Sequence, residues 1–164
     1  MKKIFTQIAV AFGCMFLVGC DTVFDVHPYD VHVDGDKNVN AANIAKIESA
    51  IKDKDTIRFA MISDSHQWLD DLKKEVGDIN RRKDSIDFVL HCGDVTDFGA
   101  TQEFLWTRDR LQKLKMPFVV LLGNHDCLGT GNQTYEVVFG KPDFSFIAGR
   151  VKFVCLNTNA IEYD

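Results

Sequence analysis

Phe88-Val89-Leu90-His91-Cys92-Gly93-Asp94-Val95-Thr96-Asp97 is a short apolar run that breaks off into a glycine followed by two acids. Apolar, rich in β-formers and too short for a helix, its first part reads as a buried strand that ends at Leu90. The same pattern recurs on either side at a spacing of thirty residues, counted between Asp64, Asp94 and Asn124. Ile57-Arg58-Phe59-Ala60-Met61-Ile62 leads into Asp64-Ser65-His66, and Phe118-Val119-Val120-Leu121-Leu122 leads into Gly123-Asn124-His125-Asp126.

Between these strands the apolar period lengthens to that of helices. Trp68, Leu69, Leu72, Val76 and Ile79 predict one helix, and the stretch from Thr101 to Leu114, with Phe104, Leu105, Leu111 and Leu114 on one side, predicts another. Thr101 is the expected N-cap of the second. Upstream, Ile44, Ile47 and Ile51 suggest a short amphipathic helix ending by Asp55. Downstream, Phe144 to Ile147, a turn at Gly149, and Val151 to Asn157 read as a β-hairpin that starts a second sheet. Strands alternating with helices make an α/β fold with a mostly parallel first sheet covered on both faces. Right-handed crossovers carry the carboxyl ends of all three strands to one edge, where open α/β sheets bind ligands.

The clusters at that edge have the chemistry of a cation site. Asp64 and His66, two apart on a segment expected to be extended, offer an oxygen and a nitrogen to the same side. Gly93 permits a turn that brings the Asp94 carboxylate to the edge, where its two oxygens can bridge two ions. Asn124 adds a neutral amide oxygen, so the set of Asp64, His66, Asp94 and Asn124 suits Mn, Fe, Zn or Mg better than a soft-metal thiolate site. Asp97 is expected to hold the loop by hydrogen bonds, and His91 to support the site or simply pack beneath it.

In order, spacing and strand context these clusters resemble the calcineurin-like metallophosphoesterases, whose motifs run D-x-H, G-D-x-x-D and G-N-H-[DE], followed by two later histidine motifs. The resemblance runs from about Arg58 to Asn157. It implies an αββα sandwich and hydrolysis of phosphoric esters with two divalent metal ions. Asp64 and His66 would bind one ion, Asp94 would bridge, and Asn124 would bind the second. His125 would contact the attacking or leaving oxygen, with Asp126 orienting its ring. No histidine follows His125, so the chain is expected to be an amino-terminal portion of such an enzyme. The alternative left open is a non-catalytic lipoprotein that keeps the first half of the fold.

The 164 residues, 46% apolar and 26% charged, amount to about one globular domain. The first 19 are set apart: Lys2 and Lys3 precede an apolar stretch from Ile4 to Val18, shorter than the ~20 residues of a comfortable membrane span. Leu17-Val18-Gly19-Cys20 resembles a bacterial lipoprotein box, which implies export and a lipid anchor to a membrane through Cys20. Residues 20–55 are expected to be a tether with the short helix, and 56–164 an incomplete metallophosphoesterase domain. Loss of the leader would take the formal charge from −5 to about −7, an unsuitable balance for nucleic acid but no obstacle to a small phosphoester substrate. Cys92, Cys127 and Cys155 form an odd trio with no disulfide framework.

Overall fold

The computed structural model describes residues 27–159. The leader and Cys20 lie outside the described residues. Within the described residues four helices, α1 (Val39–Ala50), α2 (Leu69–Arg81), α3 (Thr101–Leu111) and α4 (Gly131–Val138), alternate with β1 (Phe59–Ile62), β2 (Phe88–His91) and β3 (Phe118–Val120), and β4 (Phe144–Ala148) and β5 (Val151–Cys155) follow. A 3₁₀ turn, His125–Cys127, separates β3 from α4. Among the described residues no helix is long and apolar enough to cross a membrane.

β1, β2 and β3 pair in parallel and in that order, with Phe59 opposite Phe88 and Val89 opposite Phe118. β4 and β5 form a separate antiparallel hairpin, so the expected α/β class, parallel first sheet and beginning of a second sheet are all present. The side-chain period of two divides the core into two layers. Val89 and Val120 face a layer built by Leu72 and Val76 of α2, Phe104 and Leu111 of α3, and Tyr135 and Val138 of α4. Phe88, Leu90 and Val119 face the other way, onto Ile47 of α1, Ile51 just past its end, and Phe146, Ala148 and Cys155 of the hairpin. Four phenylalanines lock the sheets together: Phe146 stacks on Phe153 at 4.9 Å, and both meet Phe88 edge-on, while Phe59 stacks on Phe88 at 5.3 Å. Each such pair contributes about 0.5–1.5 kcal/mol beyond its buried area.

Several local expectations are corrected. α1 begins at Val39 rather than near Ile44, because Asn40 and Asn43 are buried and satisfied. The Asn40 amide donates to Val120 O at 2.8 Å and accepts from Val120 N at 2.9 Å, standing in for a fourth strand on the free edge of β3. Trp68 occupies the N-cap position of α2 and is exposed instead of lying on its buried stripe. Ala100, not Thr101, is the N-cap of α3, and the Glu103 carboxylate accepts from Ala100 N at 3.0 Å. Thr101 spends its hydroxyl on Asp30 O at 2.7 Å.

That last contact belongs to a larger difference. The polar stretch expected to be a tether is, over residues 27–38, a strap docked on α3 and α4. Arg108, almost wholly buried, donates to Asp34 O at 2.6 Å and Asp36 O at 3.1 Å, Thr130 donates to Tyr29 O at 2.6 Å, and Val33 enters the helix-side core. A guanidinium bonded to two carbonyls satisfies the strap's backbone as water otherwise would.

Candidate metal centre

The three strand tips converge because their loops hydrogen-bond across to one another. Asp64 N donates to Gly93 O at 3.2 Å and His66 N to Asp94 O at 3.1 Å, tying the first loop to the second. His125 N donates to Asp94 Oδ1 at 3.0 Å, tying the third to the second. The second and third loops touch backbone to backbone. A Cβ on Gly93 (φ +98°) would lie 2.8 Å from Gly123 N, and one on Gly123 would lie 2.2 Å from Asp94 Oδ1. Glycine is therefore required at both positions for the carboxylate to sit where it does.

Asp64 and His66 are not extended. Both adopt left-handed backbone, at φ 55° and 41°, as does Asp94 at 53°. Each non-glycine residue held there costs on the order of 1–3 kcal/mol, which the crossing hydrogen bonds offset. The result places one ligand atom each from Asp64, His66 and Asp94 within 4.8 Å of one another. His66 Nε2 lies 3.9 Å from Asp64 Oδ1. Metal–nitrogen and metal–oxygen bonds of about 2.0–2.2 Å allow one ion to reach both atoms.

The imidazole roles follow from their partners. His66 Nδ1 lies 2.9 Å from Thr96 O and 3.0 Å from Asp97 Oδ1. A carbonyl oxygen only accepts, so Nδ1 carries the hydrogen and Nε2 keeps its lone pair for an ion. His125 Nδ1 likewise donates to Asp97 O at 2.9 Å, and its ring meets that of His66 edge-on with centroids 4.8 Å apart. His66, Asp97 and His125 therefore also form a tight group. Its nitrogens facing Asp97 are occupied by hydrogens, and we read it as a hydrogen-bonded support. The bond to the Asp97 carbonyl, against a smaller opposing effect of burial and helped by the charges of Asp94, Asp97 and Asp126, raises the His125 pKa above its ordinary value.

Asp126 does not orient the His125 ring. It is fully buried, its Oδ1 accepting from Thr96 N and Thr96 Oγ1 at 2.9 Å each and its Oδ2 from Gly123 N at 3.0 Å. The 3₁₀ turn aims successive side chains in different directions, so His125 reaches the edge while Asp126 points down into the loops. Burial pushes the Asp126 pKa up despite those three donors. Its place is structural, and Asp97 takes over the role expected of it. Asn124 lies exposed at the head of the turn, next to His125.

Residues without a sequence motif complete the frame. Glu103, buried at the start of α3, accepts from Phe98 N at 3.1 Å and from Gln67 Nε2 at 3.0 Å, stapling the first two loops. Its signal was the acid at the third position of a helix, half of a capping box. His91, at the end of β2, is fully buried with Nε2 3.0 Å from Ser65 Oγ, and burial lowers its pKa to about 4. Among the described residues Cys155 is buried and Cys92 and Cys127 half-buried, all free thiols whose pKa burial raises.

Comparison with known proteins agrees with this geometry. A stretch of 48 residues, 29% of this chain and 18% of the other, is 40% identical to a protein of Arcobacter nitrofigilis described as "Probable glycerophosphodiester phosphodiesterase GpdQ". The family model for calcineurin-like phosphoesterases matches residues 57–162, a span that begins before β1 and contains every strand tip described above. On that match, over well more than half its length, the chain is a member of the calcineurin-like phosphoesterase family.

Proposed function

We propose that the strand-tip cluster binds divalent metal ions and hydrolyses phosphoric esters. The observation that carries this reading is the convergence of Asp64, His66 and Asp94, whose ligand atoms lie within 4.8 Å of one another on residues held in strained backbone. Local rules broken at one edge of an otherwise regular sheet mark a working site. The donor set, two carboxylates and an imidazole, suits a hard or borderline ion, and Asn124 lies exposed at the head of the third loop's turn. In the finer reading two ions would be held, Asp64 and His66 serving one, Asn124 the other, and Asp94 both.

Bound ions would supply positive charge to the phosphate oxygens and acidity to the attacking water. The rest falls to side chains. In-line attack of water forms a new P–O bond as the P–O bond to the alcohol breaks; water gives up its proton to solvent, and the His125 ring delivers a proton to the departing oxygen. The Asp97 carbonyl that receives its Nδ1 hydrogen keeps the ring aimed for that acid role. Asp97 holds both imidazoles through its carboxylate and its carbonyl, so their spacing is set before substrate arrives.

We also read the chain as an exported protein held to a bacterial membrane by lipid on Cys20, which Cys20→Ser would release into the soluble fraction. Hydrolysis of p-nitrophenyl phosphate and of its bis ester by the full chain with Mn²⁺ tests the activity. The expected result is turnover abolished by chelator and lowered about 100-fold or more in Asp94→Asn. Equal rates in the two proteins would overturn the hydrolase reading.

A further inference from the structure

His91 stands out among the buried groups that the proposed chemistry does not use. It closes β2 opposite Ile62 and Val120, in a sheet otherwise apolar at that level. Its Nε2 meets Ser65 Oγ at 3.0 Å, yet Nδ1 has no hydrogen-bond partner among the described residues. A half-satisfied imidazole with no exposed surface is a poor choice for packing alone, since an apolar ring would leave no polar atom dry. What it touches is informative: Ser65 is the middle residue of Asp64-Ser65-His66, with left-handed backbone on both sides.

We infer that His91 is a positioning residue that pins the Asp64-Ser65-His66 turn from beneath through Ser65, keeping the two outer side chains set for a shared ion. This rests on the metal reading above. The second loop holds Asp64 and His66 through their backbone amides, by Gly93 O and Asp94 O, and His66 also through its ring, by Thr96 O and Asp97 Oδ1. Ser65, itself buried, supplies a side-chain anchor at the centre of the turn. His91 touches no substrate and no ion; it acts through the serine.

The test uses the full chain and Mn²⁺ alone, with binding followed by calorimetry. His91→Phe and Ser65→Ala should each weaken Mn²⁺ binding about 10-fold, the double variant should lose little more than either single one, and His91→Gln, whose amide can reach the position of Nε2, should recover most of the loss. Thermal unfolding of His91→Phe should be no lower than that of the parent, which separates positioning from stability. Amide hydrogen exchange at Ser65 and His66 in the metal-free chain should speed up in His91→Phe and return with Gln. Mn²⁺ affinity in His91→Phe equal to the parent's overturns the inference. Should the parent bind no Mn²⁺, the metal reading fails by itself, and unchanged exchange at Ser65 and His66 then overturns the pinning role as well.

Discussion

At the level of Phe88, Val89 and Val119 the parallel sheet is regular and dry, each side chain wholly buried and each strand in register. A few residues further along the same chain directions, Asp64, His66 and Asp94 hold left-handed backbone, Asp64 stands largely exposed, and the acids Asp64, Asp94 and Asp97 crowd together with two histidines. The lower region is assembled from interactions that every α/β domain uses. The upper one carries like charges and backbone strain that only cross-loop hydrogen bonds sustain. The contrast teaches that stability and chemistry occupy adjacent floors of one scaffold, and that the sheet's burial is what supports the strain above it.

The largest effect should come from attacking the lower floor. Phe88→Ala removes the ring that joins Phe59, Phe146 and Phe153 and is expected to destabilise by about 3–5 kcal/mol. Denaturant unfolding reads the loss, while Mn²⁺ affinity measured on the remaining folded protein should stay near the parent value. If affinity falls in step with stability, the two floors are not separable.

Next in size is a pH effect at the boundary between them. Burial holds His91 at a pKa of about 4 in the folded protein, below its ordinary 6.5, with smaller effects from Asp64 and His66. Between those two values the unfolded chain binds the extra proton. Stability therefore falls as pH drops from about 6.5 to 4, by roughly 3 kcal/mol over the window, and is unaffected by this group above it. His91→Phe should remove that part of the acid slope; an identical slope in the variant would show that other groups carry it.

The smallest expected effect concerns the strap. Arg108→Met leaves Asp34 O and Asp36 O without their donor and should loosen residues 27–38 by about 2 kcal/mol. Faster hydrogen exchange confined to the strap, with α2 unchanged, is the expected signature. Global loss of protection would mean that the strap belongs to the core in energy as well as in contact.

Much of this arrangement was legible residue by residue. Phe88 to Leu90 and Phe118 to Val120 are strands because nothing else suits short runs of buried β-formers, and Leu72, Val76 and Ile79 mark the inner face of α2 without help. The side-chain types at the strand tips were equally plain. Other features depended on partners far away in sequence. Asn40 read as part of the polar tether because the partner of its amide lies on β3, eighty residues later. The strap looked like a tether because its anchor, Arg108, sits on a helix more than seventy residues downstream. Asp126 seemed to orient its neighbour, whereas Thr96 and Gly123 claim its carboxylate from below.

Local chemistry thus sufficed to name the strands, their parallel edge and the carboxylates, imidazoles and amide gathered on it, because apolar period and turn residues act over a few positions. It could not say which way those groups point. The left-handed turns of Asp64 and His66 exist only because Gly93 O and Asp94 O receive their amides, and the His125 ring is aimed by Asp97 O. Each of those bonds joins residues about thirty apart, and such contacts have no energy until the whole sheet has brought the loops together.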